Sequence, residues 1–384
     1  MRCSGRPPAV DEVAIIGAGP VGLTLAILLA QRGQKATVYE KRTELAGHSR
    51  AIGLHPPAQR ILELAGLGPR AQESGVPIRR GIGMSAGRII GTMDFAVIGG
   101  DYPFVLSLPQ QVTESLLRER LAELAPGALV SGAEFSGLLE QSPDGVEFTA
   151  GGTAHRARWL VAADGVNSSV RRSLGVPFAG KELPDTYLMG DFPDTTQLPH
   201  TAALFLHPAG IVESFPLPGS LRRWVVRVDG QDRGGSAAEV VDALCHRVGF
   251  VLDAASCTMH SRFTTANRQV ASMVHGRVVM LGDAAHQISP IGGQGLSLGF
   301  ADALELAARL ASHASLAGFS ETRLQAARKA GSRAQLNMML GRPLPRWLAP
   351  ARDVLISRLA SSQRIHDGAA RSFTMTARGV PRSS

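Results

Sequence analysis

Three clusters of residues in this 384-residue chain have types and spacings that could do chemistry. The first is Gly17-Ala18-Gly19-Pro20-Val21-Gly22, a GxGxxG spacing between the apolar run Val13 to Ile16 and an apolar helical pattern from Val21 to about Ala30. Such a turn suits a dinucleotide. Gly17 permits the tight strand-to-helix turn, Gly19 lets the backbone approach a pyrophosphate, and Gly22 lets the helix pack on the strands. The helix N-terminus adds free N–H groups and a partial positive charge. A second apolar run, Ala36 to Tyr39, leads into Glu40, 18 residues past Gly22. That is close to the roughly 20 expected for an acid that binds a ribose hydroxyl. The spacing by itself admits either FAD or NAD.

The second cluster is Asp164-Gly165, at the end of a buried-strand pattern that starts at Trp159; a short helix carrying Ser168, Val170 and Arg171 follows. Read alone, Asp-Gly is also a common turn. In the third, the strand pattern Val278 to Leu281 ends in Gly282-Asp283-Ala284-Ala285-His286, then Pro290 and Gly292-Gly293-Gln294-Gly295, and feeds a helix from about Leu296 to Ala311. A Gly-rich loop at a helix N-terminus can take an anion or a ring, and Asp283 can hydrogen-bond a sugar-like hydroxyl. His286 has two readings, a general base or a loop histidine satisfied by backbone.

The intervening segments must position these clusters. Pro57 to Leu67 has helical spacing, residues 76–106 alternate and are glycine-rich like short sheet strands, and a helical period resumes in LSLPQQVTESLLRERLAEL. Ala128 to Ala150 reads as a strand pair turning at Ser142-Pro143-Asp144-Gly145. From 176 to 270 the apolar runs Ala203-Leu206, Ile211-Phe215 and Trp224-Val228 suggest an antiparallel sheet, interrupted by a helix near Ala237 to Val248. Residues 320–375 are helical, with a break marked by Pro343, Pro345 and Pro350.

With 44% hydrophobic and 19% charged residues, the composition is that of a globular protein. The net charge of +8 is local: Ser320 to Ser384 holds twelve Arg or Lys against three Asp or Glu, a net of +9, so the remainder sums to −1. That tail lacks interleaved aromatics, which argues against nucleic acid. It reads as a solvated helical face, with attraction for anionic substrates, nicotinamide phosphates or an acidic membrane surface as the other readings. No apolar h-region opens the chain, and the longest apolar stretch stops at Gln31-Arg32, too short to span a bilayer. Cys3, Cys245 and Cys257 are scattered, without CxxC spacing, and suggest reduced thiols in a cytoplasmic protein with no metal cluster.

The order GxGxxG, Asp164-Gly165 and GDAAHQISPIGGQG resembles the single-component FAD-dependent aromatic hydroxylases, the class A flavoprotein monooxygenases of the p-hydroxybenzoate hydroxylase fold. The similarity runs from about Val10 to Leu310, and the late motif is more specific than the first. The resemblance implies an α/β fold: a Rossmann-like FAD-binding domain, a mostly antiparallel β-sheet substrate domain and a C-terminal helical segment. The implied division is 1–75, 107–175 and 271–318 for FAD, 76–106 and 176–270 for substrate, and 319–384 for the basic helical segment. It implies that Gly17, Ala18, Gly19, Pro20, Val21, Gly22, Glu40 and Lys41 hold the AMP half of FAD. Arg50 would sit near the flavin and govern its position, and Gln110, with Gln111 as an adjacent rival, would contact the cofactor. Asp164 and Gly165 would serve FAD and NAD(P)H, Asp283 the ribityl chain, and Pro290, Gly293, Gly295, Leu296 and Ser297 the isoalloxazine ring. Ser297 departs from the family's usual Asn, and the chain ends too early for the thioredoxin-like domain of many polyketide hydroxylases. The implied activity is NAD(P)H-dependent hydroxylation of a phenolic or polycyclic, polyketide-like aromatic by molecular oxygen, through a flavin hydroperoxide. A reductase or oxidase of the same fold and a non-catalytic flavin-binding protein are the alternatives. For a base near the substrate, His207 and Arg227 stand in the right segment without further support.

Overall fold

The computed structural model describes residues 10–44, 51–228 and 235–376. Apolar runs such as Val13 to Ile16 become central strands of a parallel sheet, where both faces are covered and near-continuous apolar sequence is required. In spatial order its strands are Val274–His275, Val278–Met280, Thr153–Ala162, Val10–Ile16, Ala36–Glu40 and Leu129–Ser131. Along this path the pairs are parallel except the antiparallel edge Val274–His275, and the strands Gly145–Ala150 and Phe135–Ser142 extend the sheet antiparallel from Thr153–Ala162, making eight strands in all. The helix Pro20–Ala30 is apolar on every side because it lies between this sheet and the helices Gln110–Leu124 and Gly295–Ala311; Leu23 to Leu29 are all buried.

A second sheet has eight strands. From one edge these are His286–Gln287, Met259–Gln269, Ala179–Pro193, Leu221–Val228, Val212–Leu217, Thr201–Phe205, Arg80–Ser85 and Arg88–Asp94. It is antiparallel apart from the pairing of Thr201–Phe205 with Arg80–Ser85. The two-residue alternation of a pleated strand gives it two different faces. Leu188, Phe192, Val212, Trp224 and Val226 pack on one side with the helix Ala237–Val248. Tyr187, Met189, Ile211, Val225 and Phe263 pack on the other, with Ile291 and Met338. The short strand His286–Gln287 follows directly on the Gly282–Ala285 turn, so the third sequence cluster lies where the two sheets meet.

The α/β class, the mostly antiparallel second sheet and the C-terminal helices agree with the sequence reading. Several elements differ in detail. The helix expected over 57–67 is present as Pro56–Leu64, and a second helix, Gly68–Ser74, follows it. The expected strand pair is the hairpin Phe135–Ser142 and Gly145–Ala150, while Leu129–Ser131 leaves it to pair with Val38–Glu40. Ala179–Pro193 is a 15-residue strand that its charges and prolines concealed, with a register shift between Glu182 and Thr186 that accommodates Pro184. The tail forms Phe319–Leu340, Ala349–Ala360 and Gln363–Phe373. Pro350 lies in the first turn of its helix, where the missing N–H has no intrahelical partner to lose, and so does not break it.

Candidate active site

The three clusters come together at the C-terminal ends of three adjacent parallel strands, the position at which open α/β sheets bind ligands. Ala163 N–H donates to Ile16 O at 2.8 Å and Leu281 N–H to Ala162 O at 2.9 Å, which aligns the strand ends. Two glycines are sterically required there. Gly17 has φ +106°, and a Cβ on it would lie 2.5 Å from Ala163 O; a Cβ on Gly22 would lie 2.1 Å from Gly17 O. Gly19 is different, since a Cβ there would meet nothing within 4 Å. It is the N-cap of the first helix, with no side chain capping that terminus. The helix N-terminus therefore faces open space with its backbone donors free for an anion.

Glu40 is buried beside this turn. Its Oε2 accepts the Ala18 N–H at 2.7 Å, and Oε1 accepts Arg42 Nε at 2.7 Å and Arg42 N–H at 3.0 Å. Burial opposes its charge, but the bonds from Arg42 and Ala18 outweigh it and hold the carboxyl below the ordinary range. Lys41 points to solvent. Asp164 Oδ2 accepts the N–H groups of Ser169 and Val170 at 2.7 and 3.3 Å, anchoring the helix Ser169–Ser173, while its buried Oδ1 has no partner. Gly165 follows with φ +78°. Arg171, from the same helix, donates to Ala284 O at 3.0 Å and ties the second cluster to the third.

In the third cluster Asp283 presents an exposed side chain. The surrounding protein mass pushes its carboxyl upward, against an opposing pull from His286. His286 is neither a free base nor satisfied by backbone. It is buried and its Nε2 donates to Asp302 Oδ2 at 2.6 Å. Asp302, on the helix Gly295–Ala311, also accepts the Gly282 N–H at 3.1 Å and Arg323 Nε at 2.7 Å. Burial opposes both charges, but mutual attraction raises the His286 pKa and lowers that of Asp302. The group pins the turn that carries Asp283, and Asp302 carried no motif signal by which the sequence could have revealed it.

The Gly-rich loop continues through exposed Pro290 to half-buried Gly293, Gly295 and Leu296 and buried Ser297, whose Oγ has no partner. His55 is buried against this loop; its Nε2 donates to Gly292 O at 2.7 Å, while burial lowers its pKa to about 4 despite that bond. Gln110 opens its helix, donates to Glu114 Oε1 at 2.8 Å, and joins Ala51 O through its N–H at 3.1 Å. Gln111 is exposed. Arg50 lies outside the described residues.

Facing the loop is one side of the second sheet, where Ile291 packs with Tyr187, Ile211 and Phe263. Arg227 on this face is engaged: its Nε donates to Asp185 Oδ1 at 2.9 Å, and Arg342 holds Asp185 Oδ2 at 2.8 Å. His207 follows the strand Thr201–Phe205 and accepts the Ala209 N–H at 3.1 Å through Nδ1. A cleft of about 750 Å³ between the 135–150 hairpin and the helix Ser169–Ser173 contains none of the motif glycines and is a separate surface.

An open helix N-terminus, an acid held beside it, and unpartnered buried oxygens on Asp164, Ser297 and Gln294 fit an elongated dinucleotide with sugar hydroxyls and a heterocyclic ring. The comparisons agree. A family model described as "FAD binding domain" matches residues 11–337. The 12-dehydrotetracycline 5-monooxygenase/anhydrotetracycline 6-monooxygenase of Streptomyces rimosus is 32% identical over 317 residues, 78% of this chain and 62% of that protein. The para-nitrophenol 4-monooxygenase of a Pseudomonas species is 32% identical over 322 residues, 78% of each chain. Among solved structures, p-nitrophenol 4-monooxygenase PnpA from Pseudomonas putida shares the fold, with a TM-score of 0.85 and 24% identity over 97% of this chain and 99% of that one. The matches span only 62–64% of the length of the tetracycline and rifampicin monooxygenases.

Proposed function

From the premise that this chain belongs to the FAD binding domain family, we propose that it is an NAD(P)H-dependent FAD monooxygenase that hydroxylates a phenolic or polycyclic aromatic. The observation that carries this reading is the convergence of all three clusters at one set of strand ends, opposite a sheet face that holds both apolar and buried polar side chains. Bound FAD would supply the redox chemistry between a nicotinamide and oxygen.

The protein's residues do the rest. The Gly17–Gly22 turn and Glu40, flanked by Lys41, hold the adenosine end. Asp164 and Gly165 lie along the middle, and Asp283 takes a ribityl hydroxyl. Pro290, Gly293, Gly295, Leu296 and Ser297 line the ring, with Gln110 reaching it from its helix. Arg50 keeps its role in positioning the flavin as part of this proposal. Ile211, Ile291, Phe263 and Met338 form an apolar wall that excludes water, which matters because a wet site would release reduced oxygen without product. The division into FAD segments 1–75, 107–175 and 271–318, substrate segments 76–106 and 176–270, and a basic helical segment 319–384 belongs to the same reading. So does a cytoplasmic location, supported by the scattered cysteines; no described helix is long and apolar enough to cross a membrane.

The test is NADPH or NADH oxidation by FAD-loaded protein with a phenol panel under labelled oxygen. One labelled atom in the product is expected. Turnover with no label in product overturns the reading in favour of a reductase or oxidase. In parallel, Asp283→Ala is expected to weaken FAD retention about tenfold, the loss of a charge-assisted hydrogen bond of about 1.5 kcal/mol or more. Unchanged retention removes Asp283 from the cofactor site.

A further inference from the structure

Resting on the monooxygenase reading, we propose that Glu213 accepts the proton of the substrate's ring hydroxyl, with the Tyr187 hydroxyl positioning that same group. Glu213 lies on the strand Val212–Leu217 between Val212 and Ser214, which turn to the opposite side. It therefore shares the face of Ile211, Val225 and Tyr187, the face that packs against Ile291 of the Gly-rich loop. Glu213 is 7% exposed and Tyr187 1%. No hydrogen bond or ion pair reaches the Glu213 carboxylate from any described residue, and the Tyr187 hydroxyl is buried without a partner.

The neighbouring charges make Glu213 an exception. Asp185 is neutralised by Arg227 and Arg342, and Asp191 accepts from Arg223 Nε and a second guanidinium nitrogen at 2.7 Å each. The C-terminal segment also brings Arg352 to this side, where it reaches Leu206 O at 3.4 Å and is held by Asp353 at 2.9 Å; the strands Thr201–Phe205 and Met259–Gln269 turn no charged side chain to it. A buried carboxylate and a buried phenol left unpaired together cost stability, so their retention on the face opposite the flavin loop points to a ligand that satisfies both.

A phenolic hydroxyl fits that demand. Its O–H bond breaks, the proton passes to a Glu213 oxygen, and the electron pair stays on the phenolic oxygen, which makes the ring a better nucleophile. The carboxylic acid left behind is neutral, the form that burial favours; burial alone raises the Glu213 pKa to about 7. The Tyr187 hydroxyl can donate to the phenolate oxygen. With its arginines already engaged, the face also selects uncharged phenols over aromatic acids, because Glu213 repels a carboxylate and no free cation among the described residues of this face offsets it.

The experiment uses FAD-loaded wild type, Glu213→Gln, Glu213→Asp and Tyr187→Phe with 4-nitrophenol, resorcinol and 1-naphthol, and with 4-hydroxybenzoate as the anionic comparator. Anaerobic flavin reduction by NADPH without substrate is expected to match wild type in the three variants, which shows an intact cofactor site. Glu213→Gln is expected to lower kcat/KM for hydroxylation about 100-fold and to lose the acid limb of the pH profile near pH 7. Glu213→Asp is expected to recover part of both. In the same series, 4-hydroxybenzoate should bind more tightly to Glu213→Gln than to wild type. A Glu213→Gln enzyme with wild-type kcat/KM, acid limb and phenol preference overturns the assignment while leaving the monooxygenase reading intact. Failure of every neutral phenol to stimulate oxygen uptake in wild type overturns both.

Discussion

The unpaired carboxylate of Glu213 should be visible in stability before any substrate is added. Its pKa is raised from 4.5 to about 7 by burial. A group raised on folding contributes stability that is full below its unfolded pKa and is lost as pH rises through the folded one. Relative to Glu213→Gln, which cannot ionise, wild type is therefore penalised progressively between about pH 4.5 and pH 7. At 1.36 kcal/mol per pKa unit the full penalty is about 3 kcal/mol at pH 8 and under about 1 kcal/mol at pH 5. The glutamine amide has its own burial cost, the same at both pH values, so the change between them is the quantity to read. If the chain melts as one unit, about 2 kcal/mol of change corresponds to a few degrees in Tm. Urea unfolding of wild type and Glu213→Gln at pH 5 and pH 8 measures it. The variant should gain about 2 kcal/mol on wild type between the two. A difference that stays constant, or moves in favour of wild type with rising pH, would mean that Glu213 is paired or solvated in the folded protein, and the reasoning fails.

Two further outcomes follow from the site's geometry. Gly22→Ala places a Cβ 2.1 Å from Gly17 O, a backbone atom that cannot yield cheaply; a loss of about 1–3 kcal/mol together with loss of FAD is expected, seen by thermal melts and flavin absorbance after gel filtration. Asp302→Asn leaves Arg323 and His286 facing a neutral amide and should cost about 3–5 kcal/mol. The Asp302 contribution is present above its ordinary pKa and lost as pH falls through the lowered one, whereas that of His286 is full below 6.5 and lost as pH rises through the raised one. Wild-type stability should therefore decline above neutral pH with a component that Asp302→Asn lacks, measured by urea unfolding across that range.

Much of this protein is determined locally. The glycine spacing with its flanking apolar strands specifies a dinucleotide turn, since no other residue fits at Gly17 or Gly22, and the continuous apolar runs specify buried parallel strands. The alternation in 203–228 specifies pleated strands with two unlike faces. Those are short-range properties, set by backbone sterics and side-chain period. What the tertiary structure alone decided is which distant groups meet. Asp302 reaches back 16 residues to satisfy His286, removing it as a base, and Arg342 reaches 157 residues to Asp185, engaging the face on which Arg227 stood as a candidate. Glu213 carries no motif, because a lone glutamate in a strand acquires meaning only when its neighbours are neutralised by others and it is not. Charge compensation is a long-range sum over the packed structure, and sequence spacing does not encode it.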